Sequence, residues 1–169
     1  MRSPHPPPHP VAPSSHHNLL PRCPALTNLQ RLLLPPAQSL SQVWHLIKLQ
    51  DFSKWWSALE SSSTASGSDE ADVYTWKFKD GTELTIKQEE HSSIDHSITF
   101  SIIGSSHSLS YTSSLSKITV SPVTSGAQAG SSFVTWSGNF SSDADANAVE
   151  DARFKRQEAL ADLAKAVSA

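Results

Sequence analysis

The segment EEHSSIDH, residues 89–96, gathers side chains of the types that hold metal ions or transfer protons: Glu89, His91, Asp95 and His96. The two serines between the histidines, however, predict a turn between two strands. Neighbouring side chains in a strand point to opposite faces, so this spacing does not bring the four groups together. We therefore predict no metal site, and within this segment Glu89, pointing inward at the end of its strand, is the candidate general acid.

Aromatic residues are the second conspicuous group. Trp44, Phe52, Trp55 and Trp56 crowd into VWHLIKLQDFSKWW, residues 43–56. Further aromatic residues recur at strand spacing: Tyr74, Trp76, Phe100, Tyr111, Trp136 and Phe140. Such residues usually fill a core, but around a hollow interior they would form a site for a small apolar ligand. The residue types alone leave both alternatives open.

The rest of the sequence excludes several classes of function. It contains no Gly-x-Ser-x-Gly turn, phosphate-binding loop or dinucleotide fingerprint, so we expect no cofactor. The net charge is −3 without a broad basic patch, which argues against nucleic-acid binding. No apolar run approaches the roughly 20 residues that cross a bilayer. The single cysteine, Cys23, suits a reducing compartment, and we expect a cytoplasmic protein.

The beginning of the chain differs in composition from the remainder. Ten of the eleven prolines lie within residues 1–36, and residues 1–50 contain four basic and no acidic side chains. Proline lacks a backbone donor and fixes φ, which predicts a disordered or polyproline-like tail over residues 1–28. This tail is either a plain extension or, being free of acids, a mitochondrial transit peptide. One folded domain is predicted over residues 29–169.

The domain is predicted to begin with a strand and two short helices. LQRLLL, residues 29–34, has the composition of a strand and ends at two prolines. Ser39 or Ser41 can cap the first helix, and Asp51 can cap the second.

Strands are predicted to follow between residues 58 and 140. Alternating apolar residues indicate about six of them, with a turn at residues 67–69 and a hairpin at Asp80-Gly81. Leu109, Tyr111 and Leu115 share one phase, whereas the next apolar residues take the other, which suggests a bulge or a bend in that strand.

A long helix is predicted to close the domain, capped by Ser142 or Asp143. One face of this helix is mainly apolar but also carries two arginines. Its residues are Val149, Ala152, Arg153, Arg156, Leu160, Leu163 and Val167.

The order of these elements, with the segments VWHLI, DFSKWW, FKDGTELTIKQEE, ITFSI, LSYTSSLSKITVSP and FVTWSGNF, resembles the START-like or SRPBCC superfamily. The resemblance covers residues 29–166 and is nearest to the polyketide cyclase/dehydrase and lipid transport type. It implies an α+β helix-grip fold, in which a curved antiparallel sheet of about seven strands wraps around the long C-terminal helix over a hydrophobic cavity.

This resemblance also implies a set of ligand-binding residues on the cavity wall: Trp55, Trp56, Trp76, Ile86, Phe100, Ile102, Tyr111, Trp136, Phe140, Arg153 and Gln157. Either Arg153 or Arg156 would face the cavity and meet a ligand oxygen or a strand carboxylate such as Glu89. Alternatively, both arginines cover the edge of the core with their stems and keep their charges in water.

The function implied is the binding of a hydrophobic small molecule, such as a lipid, a sterol or a polyketide-like metabolite. The alternative is a cyclase or dehydratase that uses the same cavity. Such an enzyme needs an acid or a base inside the pocket, and Glu89 and Tyr111 are the candidates.

Overall fold

The computed structural model describes residues 26–36, 40–65 and 72–168. Helix α1 (Leu40–Leu46) and a 3₁₀ helix (Leu49–Lys54) follow the first strand, and helix α2 (Ala146–Ser168) ends the described chain. The seven strands are β1 (Leu26–Leu34), β2 (Leu59–Thr64), β3 (Val73–Phe78), β4 (Glu83–Ser92), β5 (Ser97–Ser105), β6 (Ser114–Pro122) and β7 (Ser132–Phe140).

All seven strands form one antiparallel sheet in the order β1-β7-β6-β5-β4-β3-β2. Strands β2 to β7 are a meander, and β1 closes the sheet by pairing with β7 from Leu26↔Phe140 to Leu34↔Ser132. The predicted helix-grip architecture is confirmed, with the two short helices after the first strand and the long helix at the end.

One face of the sheet is apolar because inward side chains alternate with outward polar ones. In β7 the inward positions include Val134, Trp136 and Phe140, all of them buried. The two short helices and the C-terminal half of α2 cover this face and complete a common core: Val43, Ile47, Leu49, Phe52, Ile86, Ile98, Ile118, Val134, Leu160 and Leu163.

The predicted hairpin at Asp80-Gly81 is confirmed. Gly81 has φ = 88°, a value that glycine adopts without strain, and its N–H donates to the carbonyl oxygen of Phe78 at 3.0 Å. The predicted turn at residues 67–69 and the tail over residues 1–25 lie outside the described residues. Strand β1 starts at Leu26, earlier than the predicted Leu29.

The predicted bulge in the sixth strand is wrong. Strand β6 begins at Ser114 and pairs with both neighbours without a register shift. Leu109 and Tyr111 belong to the preceding loop, and Leu115 points outward. The change of phase therefore marks where the strand begins.

Two of the predicted helix caps are also wrong. Helix α2 is capped by Asp145, whose Oδ1 accepts the N–H of Asn147 at 2.9 Å. Asp51 lies inside the 3₁₀ helix, where it forms an ion pair with Lys54 at 2.7 Å. Ser41 is within α1, and Ser39 lies outside the described residues.

Candidate functional site

A cavity of about 440 Å³, partly open to solvent, lies between the sheet and the N-terminal half of α2. Helix α2 makes its main sheet contacts with β1 at one edge, and the cavity lies between its N-terminal half and side chains of β3, β4 and β5. The opposite end of the interior is filled by the buried core around Phe52 and Leu163. The fold therefore has one packed half and one hollow half.

The cavity wall is mainly aromatic and aliphatic. Its large apolar side chains come from the segment after the 3₁₀ helix, from four strands and from the loop before β6: Trp56, Trp76, Phe78, Leu84, Phe100, Ile102, Leu109, Tyr111 and Trp136. Helix α2 contributes the small residues Ala148 and Ala152, which keep the space open.

Arg156 places a cation in this wall. It is 6% exposed and is the only charged side chain among the described residues that is buried. Its Nη2 donates to Ser116 Oγ at 3.3 Å, and its Cζ lies 5.5 Å from the centroid of the Phe140 ring. The guanidinium is therefore held against the sheet.

Gly138 supplies the room for this guanidinium. A Cβ atom at that position would overlap Arg156 Nη1, Nη2 and Cζ, so no larger residue fits while the arginine stays in place. Ser116 pairs with Gly138 on one side in the sheet, and Asn28 pairs with it on the other. Asn28 is buried and donates through Nδ2 to the carbonyl oxygen of Val149 at 2.8 Å, which links this polar row to α2.

Three buried donors on the wall have no hydrogen-bond partner among the described residues: Trp56 Nε1, Trp136 Nε1 and Arg156 Nη1. Other tryptophans in this protein satisfy theirs, since Trp55 Nε1 donates to the Leu46 carbonyl at 2.9 Å and Trp76 Nε1 to the Leu49 carbonyl at 2.7 Å. Buried donors are normally paired. All three exceptions line the same cavity.

The electrostatics of the wall are dominated by the buried cation. Burial lowers the pKa of Arg156 to about 10, and the nearby Tyr111 partly opposes that shift. Burial also raises the pKa of the Tyr111 phenol above its usual value, with Arg156 acting in the opposite direction. Of the carboxylates at the rim, Asp151 pairs with Lys155 at 2.9 Å, and no ion pair joins a carboxylate to Arg156 within the described residues.

The chain matches the family model described as polyketide cyclase / dehydrase and lipid transport over residues 37–168. The chain belongs to this family. No curated protein sequence matches it.

Solved structures with the same fold support this family placement at the level of architecture. XoxI from Bacillus cereus has a TM-score of 0.68 at 23% identity, over 83% of this chain and 94% of that chain. An uncharacterised protein from Bacillus thuringiensis has a TM-score of 0.71 at 23% identity, over 85% and 100%. A protein from Nitrosospira multiformis has a TM-score of 0.65 at 22% identity, over 83% and 94%.

The cavity of this polyketide cyclase/dehydrase and lipid transport domain includes part of the ligand set inferred from sequence: Trp56, Trp76, Phe100, Ile102, Tyr111 and Trp136. Trp55 packs behind Trp56, with ring centroids 6.4 Å apart, and does not line the cavity. Ile86 is in the packed core, and Phe140 stands behind the guanidinium of Arg156.

The structure separates the two arginines. Arg153 lies at the surface, where its Nε donates to Glu150 at 2.8 Å and its Cζ lies 4.4 Å from the centroid of the Phe154 ring. Gln157 is exposed. Neither side chain lines the cavity, and Arg156 alone brings a guanidinium to it.

The segment 89–96 lies away from the cavity. Glu89 is exposed and accepts a hydrogen bond from Ser101 Oγ, so the inward orientation considered for a general acid is wrong. Among the described residues, no three His, Cys, Asp or Glu side chains are arranged to hold a metal ion. No helix in the described part of the chain is both long and apolar enough to span a bilayer.

Sequence reasoning missed several wall residues. Phe78 and Leu84 stand in phase with Trp76 and Ile86, so alternation could have found them. Gly138 also lies at an inward position, between Trp136 and Phe140. A glycine inside a strand indicates that another group packs closely against the backbone there.

Proposed function

We propose that this protein binds a hydrophobic small molecule, of the lipid, sterol or polyketide-like class, in the cavity beneath α2. The observation that carries the proposal is the hollow half of the fold, with about 440 Å³ of space behind a wall of aromatic and aliphatic side chains. Small-molecule sites typically have volumes of about 300–1,000 Å³ and a mainly apolar lining with a few polar groups. The family description, which includes lipid transport, agrees with this class of ligand.

The proposal is tested by blocking the cavity from the helix side. N-phenyl-1-naphthylamine, a neutral probe that fluoresces in apolar surroundings, would report occupancy of the site. We expect Ala152→Phe to fill the cavity and reduce probe binding by at least about tenfold, which corresponds to about 1.4 kcal/mol. The matched control is Ala161→Phe, on the exposed face of the same helix, which should bind the probe like the wild type.

Equal binding by Ala152→Phe and the wild type would contradict the proposal, provided that both melt cooperatively. Native mass spectrometry of the purified wild-type protein adds an independent measurement. A co-purifying apolar molecule that is absent from Ala152→Phe would identify the natural ligand.

A second candidate function is catalysis of a cyclisation or dehydration in the same cavity. It is favoured by Tyr111, a half-buried phenol close to Arg156, because a neutral hydroxyl beside a cation can pass a proton to a developing enolate. Turnover of a poly-β-ketone thioester that is lost in Tyr111→Phe, with probe binding retained, would establish this alternative over simple binding.

A further inference from the structure

We infer that the ligand of this cavity has an apolar body and a single carboxylate or equivalent oxyanion, which binds the guanidinium of Arg156. This inference rests on the proposed function and specifies the chemical class of its ligand. It depends on three observations about the described residues: a buried cation with no carboxylate partner, a recess in the sheet that holds it, and two further side chains with unpaired donors in the lining of the same cavity.

The charge of Arg156 is uncompensated within the described residues. The other basic side chains at or near the cavity pair with carboxylates: Lys155 with Asp151 at 2.9 Å, and Arg153 with Glu150 at 2.8 Å. Arg156, although the most buried of the three, has Ser116 Oγ and the Phe140 ring as its polar and aromatic contacts. A buried cation is expensive unless an anion accompanies it, so its natural partner is an anion that enters the cavity.

The position of the guanidinium is fixed by the sheet. Gly138 leaves a recess that the guanidinium occupies, while Ser116 binds Nη2 and leaves Nη1 unpaired. A solvated arginine at the edge of the core would need none of these features. Because the guanidinium is held before a ligand arrives, a carboxylate oxygen gains a charge-assisted hydrogen bond without ordering the side chain.

Two tryptophans of the cavity lining also favour a ligand that carries hydrogen-bond acceptor atoms. Trp56 and Trp136 both line the cavity, their ring centroids are 5.6 Å apart, and the buried Nε1 donors of both are unpaired among the described residues. Indole nitrogens only donate, so a ligand must bring acceptors to satisfy them. An alcohol or amine of the same shape would leave the cation unneutralised, which disfavours neutral and cationic ligands.

The inference is tested with two probes of the same shape, anionic 2-naphthoate and neutral 2-naphthamide, each displacing N-phenyl-1-naphthylamine from the full-length protein. We expect 2-naphthoate to bind at least about tenfold more tightly, because its hydrogen bond to the guanidinium joins two opposite charges. Arg156→Met should remove this preference while the neutral reporter still binds. Arg153→Met, the control, should retain the preference, since Arg153 lies outside the cavity.

A second variant keeps the test decisive if Arg156→Met does not fold. Gly138→Ala retains the charge but displaces the guanidinium, and we expect it to reduce the preference for 2-naphthoate by at least about fivefold. Equal affinities of the two probes in the wild type would overturn the inference, as would an unchanged preference in Arg156→Met or Gly138→Ala. Failure of the neutral reporter to bind the wild type would instead overturn the proposed function.

Discussion

At the scale of single residues, the buried position of Arg156 is costly for the fold. A cation that is 6% exposed has lost most of its hydration, and within the described residues no carboxylate replaces it. Its lowered pKa, about 10, expresses the same cost, because burial disfavours the charged form. A charge buried at such a cost is best explained by the proposed binding of an anionic ligand.

This cost predicts an unusual response to mutation. In ligand-free protein, we expect Arg156→Met to leave the free energy of unfolding unchanged or to raise it by about 1–2 kcal/mol, because an apolar side chain replaces a desolvated charge. Urea denaturation of delipidated protein measures this value. Arg153→Met, which removes an exposed ion pair, should change stability by less than about 1 kcal/mol. A loss above about 2 kcal/mol in Arg156→Met would instead assign the arginine a structural role.

The same two arginines show why part of the site was not predictable from sequence. Arg153 and Arg156 are separated by less than one helical turn and belong to the same stripe, so periodicity cannot choose between them. The choice is made by Gly138, which is distant in sequence and provides space for one guanidinium only. The aromatic wall was easier to predict, because strand alternation is a local property that fixes which side chains point inward.

At the scale of elements, the N-terminus of α2 forms one side of the cavity. Asp145 caps the helix through the N–H of Asn147, and both residues line the cavity. We expect Asp145→Ala to lower the free energy of unfolding by about 1 kcal/mol through the loss of this cap. Ser142→Ala is the matched control, since Ser142 is exposed and precedes the helix. Equal losses in the two variants, measured by thermal denaturation, would contradict this assignment.

The C-terminal half of α2 is tied to the segment after the 3₁₀ helix by a carboxylate. Burial alone would raise the pKa of Asp162, but hydrogen bonds from Lys165 and from the hydroxyl and N–H of Ser57 outweigh it and lower this pKa. A carboxylate whose pKa is lower in the folded state stabilises the fold above its unfolded pKa, near 3.8, and loses this contribution as the pH falls.

We expect the free energies of unfolding of Asp162→Asn and the wild type to differ by an amount that depends on pH. The variant should be less stable at pH 6, and the difference should shrink as the pH falls below about 4, where the carboxylate of the unfolded wild-type chain is protonated first and the folded one at lower pH. Urea denaturation at a series of pH values measures both curves. A difference that stays constant between pH 6 and pH 3 would show that the carboxylate charge is not involved.

Elements differ in how well their limits could be predicted. The strands and the long helix follow from periodicity, which reflects which side chains are buried along each element. The N-terminal cap of α2 could not be predicted from periodicity. Ser142, Asp143 and Asp145 are all suitable residue types, and only the folded geometry selects Asp145. Leu109 and Tyr111 continue the spacing of a strand but belong to a loop, where they line the cavity. Apolar residues in a loop that lines a cavity and apolar residues in a strand can therefore show the same sequence pattern.

At the scale of the whole molecule, the folded unit extends beyond the family match. The match starts at residue 37, whereas β1 (Leu26–Leu34) precedes it and pairs with β7 along its entire length. Leu34 is 1% exposed, and buried Asn28 connects the sheet to α2 through the Val149 carbonyl. Strand β1 therefore supports both the edge of the sheet and the helix that covers the cavity.

Two truncations follow from this arrangement. We expect removal of residues 1–24 to leave the melting temperature and the binding of N-phenyl-1-naphthylamine unchanged, because every residue that lines the cavity lies after residue 55. Removal of residues 1–36 deletes β1, exposes the edge of β7 and takes away the Asn28 contact with α2, so cooperative melting and probe binding should both be lost. If the shorter protein melted cooperatively and bound the probe, β1 would be an accessory strand, and the position of α2 over the cavity would have to be set by the remaining core alone.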